Sequence, residues 1–86
     1  MVATTTVGND KGGLDTTYHK TVVVRTYGNG DIRLNSGGWK TATTKSRMNK
    51  FTPDNVHVWQ KNYEWYVTIG ETVLPFEDNM VFNVRD

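Results

Sequence analysis

Cysteine is absent from the chain. Its absence excludes a disulfide framework and any thiolate metal site. Small extracellular domains are usually disulfide-stapled, so a cytoplasmic setting is expected. No stretch is long and apolar enough to span a bilayer, and no membrane partner is expected. The opening MVATTTVGND has no basic region followed by an apolar run, so no secretion signal is expected there. There is no internal repeat. Acids are missing from one long stretch: residues 32–53 carry Arg33, Lys40, Lys45, Arg47 and Lys50 and no Asp or Glu. Residues 62–86 are the reverse, with Glu64, Glu71, Glu77, Asp78 and Asp86 against Arg85 alone. The formal net charge of +1 therefore conceals a segregation. Such polarity serves either a functional basic face or pairing between the two halves.

Catalytic chemistry is equally sparse. The two histidines, His19 and His57, lie on different segments without partners at motif spacing. Glu77 and Asp78 are adjacent on a turn and point apart. A triad of Ser36, His57 and Asp54 has nothing behind it beyond residue type, and triads are defined by geometry. No metal-ligand spacing occurs. Gly28, Gly30, Gly37 and Gly38 fit neither a dinucleotide nor a Walker pattern and are read as turn residues. The chain is expected to be no enzyme and to hold no cofactor.

What is present is a β pattern. With 86 residues there is room for one domain. Residues 1–17 are rich in Thr, Gly and Asp and nearly free of large apolar groups. Such a segment does not offset the entropy of ordering it. It is expected to be a flexible tail, or a first edge strand at best, ahead of a single β-rich domain over 18–86. Residues 20–27 (KTVVVRTY) form a strand, and the three valines suggest burial on both faces. Asn29 and Gly30 supply a tight turn, and residues 32–35 return as a second strand. A Thr N-cap at 41 or 43, an inward face of Thr44, Met48 and Phe51, and the stop at Pro53 predict a helix over 42–51. Alternation then predicts strands over 56–59, 64–69, 72–76 and 80–84, with Trp65, Val67 and Ile69 on one face of the second of these. Short late connections imply that neighbours pair antiparallel. The expected class is α+β, mostly β. The expected architecture is a strongly bent antiparallel sheet or small open barrel of five to six strands, with the one short helix between the second and third strands.

The candidate site is the helix and its approach. With Met48 and Phe51 turned inward, Thr43, Arg47 and Lys50 line one flank of the exposed helix, and Lys45 and Asn49 the other. Arg33, Trp39 and Lys40 extend the surface. Cations, hydroxyls and an amide of this kind are what phosphate recognition uses. Outward-facing rings among Trp39, Trp59, Tyr63, Trp65 and Tyr66 would add stacking surface. The plain alternative is an ordinary polar helix face whose Lys and Arg stems cover apolar surface.

Ile32-Arg33-Leu34-Asn35-Ser36-Gly37-Gly38-Trp39, then Thr43-Thr44-Lys45-Ser46-Arg47-Met48-Asn49, resembles a family of small proteins encoded by tailed bacteriophages. Val58-Trp59-Gln60-Lys61, Trp65-Tyr66-Val67 and Pro75-Phe76-Glu77-Asp78-Asn79-Met80 resemble it too. The resemblance covers residues 20–82 and leaves the N-terminal segment outside. It implies viral origin and action inside a bacterial host, which with the lack of cysteine makes the host cytoplasm the expected setting, and it brings no activity and no site. Three functions follow as expectations. The first is a nucleic-acid-binding protein using the basic helix. The second is a protein-binding inhibitor or modulator of a host factor, for host takeover or anti-defence. The third is a minor virion component. Oligomeric state is left open, although an exposed edge strand offers a way to pair two copies.

Overall fold

The computed structural model describes residues 4–18, 20–38 and 40–84. Among them, β1 (Thr4–Gly8), β2 (Leu14–Tyr18), β3 (Thr21–Thr26) and β4 (Asp31–Leu34) precede α1 (Ala42–Lys50). After it come β5 (Val56–Lys61), β6 (Glu64–Ile69), β7 (Thr72–Pro75) and β8 (Met80–Asn83). They build two antiparallel sheets: a five-stranded sheet in the order β1-β2-β3-β4-β8, and a three-stranded sheet in the order β5-β6-β7.

This corrects the expected architecture in three respects. The strands form two separate sheets and no barrel. The helix follows the fourth strand, not the second. Two strands, β1 and β2, lie in residues 4–18, where the expectation for residues 1–17 was a flexible tail or at best a first edge strand. Threonine explains that difference. It counts as polar, yet its branched Cβ suits a pleated strand, and Thr4, Thr5, Thr6, Thr16 and Thr17 flank a Gly/Asn/Asp-rich turn. Asn9 organises that turn. Its Oδ1 accepts from Lys11 N at 2.9 Å and Gly13 N at 3.1 Å, while its Nδ2 donates to Thr26 O at 3.0 Å. Gly13 is required here, because a Cβ would collide with the Thr26 carbonyl.

The three valines of β3 have a specific cause. Thr16 pairs with Val24 and Thr17 with Val22, so Val23 is the extra residue of a bulge. Val23 and Val24 are consequently both buried despite being consecutive.

β7 and β8 are joined by a short turn but do not pair. Pro75 ends β7 without a backbone donor. The turn beyond it is drawn to the other sheet: Asp78 Oδ1 accepts from Ser36 N at 2.9 Å and Ser36 Oγ at 2.7 Å, and Asn79 N donates to Leu34 O at 2.8 Å. β8 is thereby placed against β4, in the register Ile32↔Phe82 and Leu34↔Met80.

One core unites the parts. Val24, Ile32, Leu34 and Phe82 come from the larger sheet, Val56, Val58, Trp65 and Val67 from the smaller, and Met48 from the helix between them. No helix among the described residues is long and apolar enough to cross a membrane.

Candidate functional site

The helix is held on three sides. Thr41 caps its start, accepting from Thr44 N at 3.2 Å. Thr44 and Met48 are buried, and Phe51 packs against the core at the C-cap. Asn49 is committed to structure: its Nδ2 donates to Val58 O at 2.9 Å and its Oδ1 accepts from Val58 N at 2.7 Å. One side-chain amide thus stands in for a neighbouring strand along the edge of β5.

The remaining candidate residues do not form one surface. Lys45 turns toward the smaller sheet, where its Nζ donates to Gln60 Oε1 at 2.9 Å and lies 5.5 Å from the Trp65 ring centroid. Arg47 turns the other way, its guanidinium 5.6 Å from the Tyr18 ring on β2. Lys40 sits 5.8 Å from Phe76, and Lys50 5.6 Å from Phe51. Thr43 is exposed beside Ala42 and Ser46 on the helix crest. Arg33 pairs with Arg25 and Val81 across the outer face of the larger sheet, opposite in direction to the buried Ile32 and Leu34. Trp39 lies outside the described residues. The ion pairs among the described residues are Lys11–Asp10 and Arg25–Asp15. Lys40, Lys45, Arg47 and Lys50 therefore meet rings rather than carboxylates among the described residues, each such contact contributing about 0.5–1 kcal/mol at an exposed site, and with Arg33 they diverge over several directions.

The glycine turn before the helix is closed as well. Gly37 N donates to Asn35 Oδ1 at 3.0 Å and Gly38 N to Ser36 Oγ at 3.2 Å. Ser36 is buried on Asp78, whereas His57 is exposed on the outer face of the smaller sheet, so no triad assembles.

That outer face gathers Trp59, Tyr63 and Tyr66, three of the rings offered on sequence grounds as stacking surface, whereas Trp65 is buried. Cross-strand pairing aligns His57, Thr68 and Val73 in one row, and Trp59, Tyr66 and Pro75 in the next. Trp59 and Tyr66 are stacked with centroids 4.8 Å apart. Both rings are tied down: Trp59 Nε1 donates to Thr68 Oγ1 at 2.8 Å, and Tyr66 OH donates to Glu64 Oε2 at 3.0 Å. The bond to Glu64 raises the Tyr66 phenol above its ordinary pKa. At the end of the hairpin, Asn62 and Tyr63 have φ of 53° and 68°. Two positive-φ residues in a two-residue loop match the twist of the strands, but the second place favours glycine. Tyr63 occupies it nonetheless, and is 95% exposed. Sequence carried half of this signal. The alternation of β6 put Tyr66 outward, and the Lys61-Asn62 turn was visible, but nothing local showed that Tyr63 takes the glycine position.

A family model described as Kyanoviridae Gp96 protein matches residues 2–83 of the chain. The match takes in the β1–β2 hairpin that the motif resemblance leaves aside. No curated protein and no solved structure matches.

Proposed function

The chain belongs to the Kyanoviridae Gp96 family of cyanophage proteins, and from that premise we propose that it is a non-enzymatic binding protein acting in the host cytoplasm, with a host protein held on the outer face of β5-β6-β7. The observation that supports this most is Tyr63. An exposed ring in a left-handed conformation is unfavourable twice over, in backbone strain and in hydration. A partner that covers the ring recovers the second term. Beside it, Trp59 and Tyr66 are fixed before any partner arrives, which lowers the entropy lost on binding. Trp and Tyr anchors of this kind dominate protein interfaces. The face carries Lys61 opposite Glu64 and no excess of positive charge, which suits a protein better than a phosphate backbone.

A second reading, nucleic-acid binding through the helix, draws on the acid-free stretch and on helix cations that form no ion pair among the described residues. It is weakened by their divergence and by the commitment of Asn49.

One experiment separates the two. The tagged protein and its Tyr63→Gly, Trp59→Ala and Lys45→Ala/Arg47→Ala variants are used to capture partners from cyanobacterial lysate, with and without nuclease, across salt concentrations. A discrete host protein should be retained by the wild type and by the lysine/arginine variant at moderate salt. Tyr63→Gly should lose it by about 30-fold or more in affinity, while its folding stability stays within about 1 kcal/mol because glycine relieves the turn. Retention indifferent to Tyr63 and Trp59 would remove the protein reading. Nuclease- and salt-sensitive retention that depends on Lys45 and Arg47 would favour the helix.

A further inference from the structure

The sheet edges of this molecule are not treated alike. β5 is covered along its edge by Asn49, which occupies both backbone groups of Val58. β7 is only four residues long and ends in Pro75. β8 is also a four-residue strand. Short strands, proline and covering elements are the ordinary protections against edge-to-edge pairing. Among the described residues, β1 has none of them. It is five residues, TTTVG, with no charge, no proline and no bulge in its ladder with β2, and β2 is its one strand neighbour. Apolar side chains are exposed around it: Val7 at 54% on the outer face and, at the β2 end of the hairpin, Leu14 at 51%.

The geometry points to β1 as a self-pairing edge, along which two copies of the chain join antiparallel so that their five-stranded sheets run on as one. The occupant is a second copy because the strand is complementary to itself. An antiparallel pairing centred on Thr6 keeps all five residues matched, placing Thr6 opposite Thr6, Thr5 opposite Val7 and Thr4 opposite Gly8. Thr5 and Val7 share the outer face with Thr17 and Asp15. Across the two-fold axis each Val7 then lies beside Thr5 of the other copy and diagonal to its Val7, within reach of a side-chain contact. The pairing is isologous and closes at two copies, since each copy spends the one edge left unprotected among the described residues. No charge on the strand opposes it. This inference is independent of the aromatic face, which lies on the other sheet.

The test measures the mass of the full chain by sedimentation over a wide concentration range, with circular dichroism as a check of folding. The wild type should move reversibly from monomer to dimer mass as concentration rises. Thr5→Lys/Val7→Lys sets like charges opposite each other at both Thr5–Val7 pairs, and dimerisation should weaken by about tenfold or more. Thr5→Glu/Val7→Lys sets opposite charges across the same pairs and should restore it. Both positions are exposed, so the monomer fold is spared. A wild type that remains monomeric throughout overturns the inference. So does a dimer indifferent to the lysine pair, as pairing through β8 would give, and so does failure of the glutamate–lysine combination to recover what the lysine pair loses.

Discussion

Asp15 and Arg25 face each other on the outer side of the five-stranded sheet, with Arg33 next in the same row. The pair is bidentate, with Arg25 Nε 2.8 Å from Asp15 Oδ1 and Nη2 3.0 Å from Oδ2, and Asn9 Nδ2 adds a third bond at 2.9 Å. The Arg25 hydrogen bond holds the Asp15 carboxyl below its ordinary pKa, against an opposing push from desolvation, and the same bond raises the Arg25 guanidinium. The sign for stability follows. A carboxylate whose folded pKa is depressed contributes stability that is present above its unfolded value and is lost as pH falls through the folded one. The resistance of the wild type to urea unfolding should therefore weaken below about pH 4. Asp15→Asn should cost about 1 kcal/mol at neutral pH, because it leaves Arg25 and Arg33 adjacent without a counter-charge, and the gap between variant and wild type should close in acid. A gap that persists unchanged at low pH would mean that shape, not charge, is what Asp15 supplies. No local pattern in the sequence announces this pair: residues 15 and 25 meet only once the register of β2 on β3 is fixed.

At the scale of elements, the helix was the most legible piece and its role the least. Thr41, Thr44, Met48 and Pro53 mark its limits and its buried face from sequence alone, and the structure places it over Ala42–Lys50. What spacing along one helix does not reveal is what the flanks meet. Asn49 looked like a free recognition group, and it is the clasp on β5. Lys45 and Arg47 looked like one cationic surface, and they reach for different sheets. Removing the clasp tests its weight. Asn49→Leu keeps the bulk but leaves Val58 N and O to find other partners, and each unsatisfied buried backbone group costs about 1–3 kcal/mol. The expected loss in chemical denaturation is about 2 kcal/mol, with the aromatic face on β5 and β6 still formed. A neutral result would show that water satisfies Val58 as well as the amide does. The late strands were legible because apolar and polar residues alternate there. The β1–β2 hairpin was not, because its strands are threonine and its stabilising contacts are Asn9, Asp15 and the bulge on β3, none of which registers as hydrophobic period.

At the scale of the whole molecule, the question is whether residues 1–18 are an appendage or part of the folding unit. Composition argues for an appendage, since the segment adds little apolar area of its own. Position argues the opposite. β2 turns β3 into an interior strand, and β3 carries Val22, Val23 and Val24 in sequence. Without β2, that valine-rich strand becomes a sheet edge with no charge across its centre, the kind of edge that templates aggregation. Arg25 would lose Asp15, Arg47 the Tyr18 ring, and Val24 its buried cross-strand partner Thr16. For a domain of this size each kcal/mol lost lowers the Tm by about 4–8 °C. A chain starting at residue 19 is therefore expected to melt more than about 10 °C below the full chain, or without a cooperative transition, and to scatter light on standing. A tail would give a truncated protein with the same Tm and the same solubility. The two outcomes are far apart, and the thermal melt decides whether the hairpin that looks least like structure in the sequence is what keeps β3 in the interior of the larger sheet.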